Sequence, residues 1–218
     1  MSTSFFAMLP QVLPEVAGCP DIVAIEAVRT AAIMLCERAS VWKVRYDPID
    51  VIAMVADYEL DIPTGAYSKA INKITFNGNV LRPRLTEQLD RDVPNWQTTT
   101  GTPFGYFMSA DDTITLVYEP DTTYPQSMYV TGTLAPTRNA SVIDDEVYQR
   151  YYPLMATGAK ALLFMQQQQK WSNATLGAAL FDAFQAGVNA AYAHKLTGQA
   201  NVQLQARPKY AFVRSTWL

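Results

Sequence analysis

The chain holds one histidine and two cysteines, and where they fall decides what chemistry they can do. His194 follows an alanine-rich helical stretch with no acid near it in sequence. At the C-terminal end of a helix the dipole stabilises an imidazolium, so His194 reads as a surface residue and not as a general base. Cys19 and Cys36 fall at either end of one helical segment, about 25 Å apart at helical rise, beyond the reach of a disulfide. They read as reduced thiols, not as the staple of a secreted domain. One histidine and two distant cysteines do not make the usual zinc sets. Gly101-Thr-Pro-Phe-Gly105 lacks the Lys-Ser/Thr of a phosphate loop and reads as a turn entering a strand. Asp111-Asp112 and Asp144-Asp145-Glu146 supply carboxylates, but without the alternating oxygen ligands and distal glutamate of a calcium loop. A turn and a helix N-terminus account for them. Carboxylate pairs for glycoside hydrolysis meet only in the fold, and no pair is singled out here. The expectation is a protein without cofactor or metal that is not an enzyme.

The elements that would carry these residues follow from periodicity. Asp21 caps a helix on which Ile25, Val28, Ala32, Leu35, Cys36 and Ala39 form one stripe. From Trp42 the pattern turns to β: Trp42–Tyr46 alternates, Val51–Leu60 is a β-like run, and Ile71–Leu81 carries Asn77-Gly78, a type I′ hairpin signal. Leu85–Arg91 suits a short surface helix, and Thr113–Tyr118 and Met128–Leu134 suit strands. Helix returns at Asp144-Asp145-Glu146, with Val147, Tyr151, Leu154, Gly158, Leu162 and Met165 on one face. Pro153 either kinks this helix or opens its main part. Asn173 caps a second helix through Leu176, Leu180, Phe184, Gly187 and Ala191, ending at Thr197-Gly198.

The fold expected is α+β: a helical bundle made of one N-terminal helix and a C-terminal helix hairpin, with an inserted antiparallel β-sandwich and an extended C-terminal arm. The divisions are 1–41 plus 141–198 for the helical domain, 42–140 for the sandwich and 199–218 for the arm. Small residues in the hairpin suit close packing within and between subunits, and Gly158, Ala159, Leu162 and Gly187 are the candidates.

Charge divides unevenly. Before Val147 there are ten Lys and Arg against nineteen Asp and Glu, and from Val147 onward seven against one. An acidic body with a basic end presents unlike surfaces to unlike partners. Met1–Pro10 has no basic n-region, and no apolar run reaches the roughly 20 residues of a membrane helix, so no membrane partner is expected. The basic residues of the last third are too dispersed for sequence-specific nucleic-acid recognition. Arg207–Leu218 ends the chain, and its Tyr210, Phe212, Arg214 and Trp217 are of types enriched at interface hot spots. It is either a last edge strand packed on its own domain or an arm that docks on another chain.

Leu13-Pro-Glu-Val-Ala-Gly-Cys-Pro-Asp21 with the helix through Cys36-Glu-Arg38 and Trp42, then Gly101-Thr-Pro103, Ile114-Thr-Leu-Val-Tyr118-Glu-Pro120 and Leu134-Ala-Pro136, carry a resemblance. So do Gly158-Ala159 with Leu162-Leu163, and Lys170-Trp171-Ser-Asn173 leading into Phe184-Gln-Ala-Gly-Val188. In this order they resemble the head-to-tail adaptor (connector) proteins of short-tailed bacteriophages, over about Leu13 to Ala193. The Gln166–Gln169 stretch departs from that pattern, which usually reads shorter and more apolar there.

The resemblance implies a ring of subunits, typically twelve, between the portal protein of the capsid and the tail or nozzle proteins. It implies double-stranded DNA passing through the ring without sequence-specific binding. The place would be the head–tail interface of the virion, assembled in the host cytoplasm. It also implies that the arm binds the portal, through Arg207, Lys209, Tyr210, Phe212, Arg214, Trp217 and Leu218. A tail completion or nozzle subunit is the neighbouring alternative. A carbohydrate-binding sandwich using Trp96, Tyr106, Tyr124 and Tyr129, or a hydrolase using Asp111 and Asp112, are alternatives from other classes.

Overall fold

The computed structural model describes residues 2–93, 95–110 and 112–197. The stripe read from the sequence lies on helix α2 (Asp21–Ala39), which buries Val28, Ala32, Leu35, Cys36 and Ala39 together with Ala24 and Ala31, while Ile25 is half-buried; Asp21 is the first helical residue and not the cap, a place taken by Pro20 without a side-chain bond. It stops at Ser40, whose left-handed backbone (φ 51°) turns the chain and whose N–H bonds to the Cys36 carbonyl at 2.9 Å. Asp144 caps α4 (Asp145–Phe164), its carboxylate accepting from the Glu146 N–H at 2.9 Å. Pro153 lies inside this helix. Asn173 caps α5 (Ala174–Thr197), its side chain accepting from the Leu176 N–H at 3.1 Å.

Residues 2–15, to which the sequence pattern assigns no element, are structured. Strand β1 (Ser2–Ser4) pairs antiparallel with β10 (Val142–Asp144). Three short helical turns follow: a 3-10 turn at Phe5–Met8, α1 (Leu9–Val12) and a 3-10 turn at Leu13–Glu15. Phe5, Met8 and Val12 from these turns are buried in the same core as α2, α4 and α5.

The remaining strands are β2 (Lys43–Arg45), β3 (Ile49–Val51), β4 (Asp57–Glu59), β5 (Ala66–Phe76), β6 (Asn79–Pro83), β7 (Gly105–Ala110), β8 (Thr113–Val117) and β9 (Tyr124–Pro136). They form one eight-stranded sheet in the order β2-β9-β5-β6-β7-β8-β4, with β3 also paired to β9. Asn77 and Gly78, both at positive φ, make the predicted hairpin turn between β5 and β6.

The helical bundle with an inserted antiparallel β-sandwich is therefore corrected. The chain is α+β, but it has one curled mixed sheet, a half-barrel, beside the small β1–β10 ribbon. Two physical reasons separate the outcomes. First, the stretch from Arg84 to Phe104 crosses over through α3 (Thr86–Asp92), so β7 returns parallel to β6 and not as a further meander. Second, the sheet fills its own concave side, with Ile74, Phe76, Ile114, Leu116, Met128 and Val130 in one cluster, and needs no facing sheet. Nor do the helices stand as a separate bundle, because their core also takes in Trp42, Leu134, Ala135 and the N-terminal turns. A third, smaller cluster of Leu89, Trp96 and Val117 seats α3 on the outer side of β7 and β8.

Candidate interaction surfaces

Strands β2, β5, β6 and β9 contain Lys43, Arg45, Lys69, Lys73 and Arg82 and not one acid. Register sets where these cations point. Arg45, Thr131 and Lys73 stand opposite one another on β2, β9 and β5, and Tyr129, Thr75 and Val80 form the next row. Because side chains alternate, both rows lie on the outer face, while Met128, Val130, Ile74 and Leu81 point into the core. Tyr129 (39% exposed) and Val80 (58%) give this face an apolar strip beside the cations. Arg82, two residues after Val80, shares the face.

Lys195, in the last turn of α5, meets this face at β2. It lines a shallow depression with Lys43, Arg45, Asn72 and Thr131. Partial burial, then the charges of Lys69 and Lys43, lower the Lys195 pKa below the ordinary lysine value. Lys69 itself is anchored, donating to the Ser40 hydroxyl at 2.7 Å and to the Glu37 carbonyl at the end of α2.

The opposite sign is concentrated between Asp47 and Asp61, which hold five acids and no base. Within that stretch the β-like run Val51–Leu60 holds the end of β3, a tight loop and β4. Ile52, Met54 and Val55 at its tip are 51%, 67% and 37% exposed. Yet every amide of the tip is held. The Ile52 N–H donates to the Tyr58 hydroxyl at 3.0 Å, Ala53 to the Thr123 hydroxyl at 3.1 Å, Met54 to the Pro120 carbonyl at 2.9 Å, and Val55 to the Ile52 carbonyl at 3.2 Å. The Tyr58 hydroxyl in turn donates to the Val55 carbonyl at 2.8 Å. Burial pushes the Tyr58 phenol above its ordinary pKa, so it stays a donor. Met54 is in the left-handed region (φ 62°), which costs a non-glycine residue about 1–3 kcal/mol. Apolar side chains are thus held outward on a fixed, strained turn flanked in sequence by two exposed acids, Asp50, which accepts from the Gln126 N–H at 2.6 Å, and Asp57, which accepts from the Thr115 hydroxyl.

A narrower cleft of about 150 Å³ lies where α4 begins and α5 ends, lined by Asp144, Glu146 and Arg150 on one side and Lys43, His194 and Lys195 on the other. His194 is exposed in the last turn of α5, where the dipole argument put it. Among the described residues no group of three or more His, Cys, Asp or Glu is placed to hold a metal ion. Among them, too, no helix is long and apolar enough to cross a membrane.

The small-residue candidates sit in the helical layer. A Cβ on Gly158 would lie 2.8 Å from the Phe184 ring and 3.0 Å from Ala31, so this glycine lets α2, α4 and α5 meet within one chain. Gly187 faces Leu154 and Ala159 is fully buried. Leu162 is half-buried and lines an open groove between α2 and α4 beside Ile22, 77% exposed. Arg207, Lys209, Tyr210, Phe212, Arg214, Trp217 and Leu218 lie outside the described residues.

Trp96 and Tyr106, offered for a carbohydrate platform, are buried, and the Trp96 indole donates to Asp90 at 2.8 Å. Tyr124 packs edge-on to Phe76 at 5.1 Å. Cys19 and Cys36 are both free and buried, and desolvation pushes the Cys36 thiol up to about 12. The cationic face was open to discovery in the sequence as four acid-free segments. The exposed tip was hidden by its strand-like composition.

No protein-family model matches the chain, and no curated protein matches it.

Proposed function

We propose that this chain is a structural, non-catalytic virion protein: a head-to-tail adaptor that forms a ring on the portal protein and connects it to tail or nozzle proteins. Double-stranded DNA would pass through the ring without sequence-specific binding. The observation that carries this reading is the separation of charge on one sheet. A face of Lys43, Arg45, Lys73 and Arg82 and an acid-rimmed apolar tip suit a protein that joins unlike surfaces. The ordered motifs that resemble the adaptor family support it. So does the position of α5, which ends beside β2 with the segment 198–218 still to follow.

The test is native mass spectrometry of the full-length chain and of a truncation after Gly198, each alone and with the portal ring of the source phage. Multiple copies bound to the portal, lost on truncation, are the expected result. A monomer indifferent to the portal in both forms overturns the reading. Binding to a tail component in place of the portal assigns the chain to the neighbouring tail position.

A further inference from the structure

We propose that neighbouring copies in this assembly join head to tail through the sheet, the apolar tip at Ile52–Val55 of one copy docking on the cationic outer face of the next. This rests on the ring-forming role argued above and names the surface that serves it. The tip has the marks of a contact already shaped before binding. Three exposed apolar side chains stand on a turn whose four amides are all hydrogen-bonded and whose Met54 holds a strained φ. A pre-set turn of this kind loses little freedom on docking.

The partner surface is on the same chain. Tyr129 and Val80 supply an exposed apolar strip, and Arg45, Lys73 and Arg82 border it with charge opposite to that of Asp50 and Asp57 around the tip. An apolar centre within a charged rim is the usual anatomy of a specific interface. The sign of the rims selects the pairing. Tip against tip sets acids on acids, and face against face sets cations on cations, so tip on face is favoured. One tip–face contact per neighbour is heterologous and closes into rings or extends as filaments, as the ring-forming role requires, whereas a reciprocal pair with each tip on the other's face stops at a dimer and overturns the inference.

The decisive experiment uses two variants of the full-length chain, Met54→Asp and Arg45→Glu/Lys73→Glu, each shown by circular dichroism to be folded. All three substituted side chains are exposed and lie outside the buried clusters. Native mass spectrometry at low salt, with and without the portal ring, reads their assembly. Each variant alone is expected to fail to form the multi-copy species of the unmodified chain. An equimolar mixture is expected to give a one-to-one dimer and nothing longer, because one intact tip meets one intact face. Rising salt is expected to dissociate the unmodified assembly.

Rings on the portal formed equally well by both variants overturn this inference and leave the adaptor reading standing. A mixture that stays monomeric while the unmodified chain assembles also overturns it. Loss of double-stranded DNA binding by Arg45→Glu/Lys73→Glu, with self-association intact, makes the face a phosphate site and overturns it as well. An unmodified chain that is monomeric in every condition overturns the inference and the adaptor reading together.

Discussion

The helical layer and the curled sheet use the same kinds of residue to opposite ends. In the helices, Gly158, Ala31, Ala159 and Gly187 bring three backbones close, and the apolar side chains they admit, Phe184 and Leu154, are turned inward. In the sheet, an equally fixed piece of backbone holds Ile52, Met54 and Val55 outward. Rigidity is therefore not a sign of burial in this molecule. What differs is where the fixed backbone sends its apolar side chains: Phe184 is buried, whereas Ile52, Met54 and Val55 stand exposed.

Substitution can break that contrast. The largest effect is expected for Phe184→Ala, which empties the space under Gly158 and lowers stability by about 3–5 kcal/mol in urea unfolding. Gly158→Val drives a branched side chain against Phe184 and Ala31 and is expected to cost about 2–3 kcal/mol. The double variant should lose measurably less than the two together, since valine occupies part of the space that phenylalanine left. Simple additivity would mean that the two side chains do not share that space.

Tyr58→Phe is the corresponding cut in the sheet. It removes the acceptor of the Ile52 N–H and the donor to the Val55 carbonyl, with an expected loss of about 1 kcal/mol. Faster hydrogen exchange confined to the tip amides would accompany it, and unchanged exchange would show the tip to be held by its other bonds. The smallest effect is expected for Met54→Ser, within about 0.5 kcal/mol of the unmodified chain by thermal unfolding, because its side chain is 67% exposed and has little packing to lose. A large loss there would mean that the tip is part of the fold and not a surface.

Local features of the fold were legible because their signals are local. Asp144 and Asn173 cap helices where their residue types and positions say they should. Asn77-Gly78 makes the turn its dihedral preferences require. The arrangement of the sheet was not legible. β2 and β5 both pair with β9, far along the chain, and β6 lies parallel to β7. Such pairings join segments whose composition carries no mark of the partner. The apolar, β-like composition of Val51–Leu60 was a true β signal at its two ends, but it could not show that Ile52 to Val55 leave the ladder, since exposed and buried valines are the same letter. The buried Phe5, Met8 and Val12 were missed because short helical turns have too few residues to display a period.

Past a left-handed residue at Gln126 (φ 46°), strand β9 (Tyr124–Pro136) runs on to Pro136, roughly 30 Å of extended chain. Met128 and Val130 near its start are embedded in the core of the sheet, and Leu134 and Ala135 near its end in that of the helices. One length of backbone is therefore a strut common to both halves, braced on one side by β2 and β3 and on the other by β5. A pull applied at the sheet is carried along that strut into the helices as tension, with no linker to take up slack.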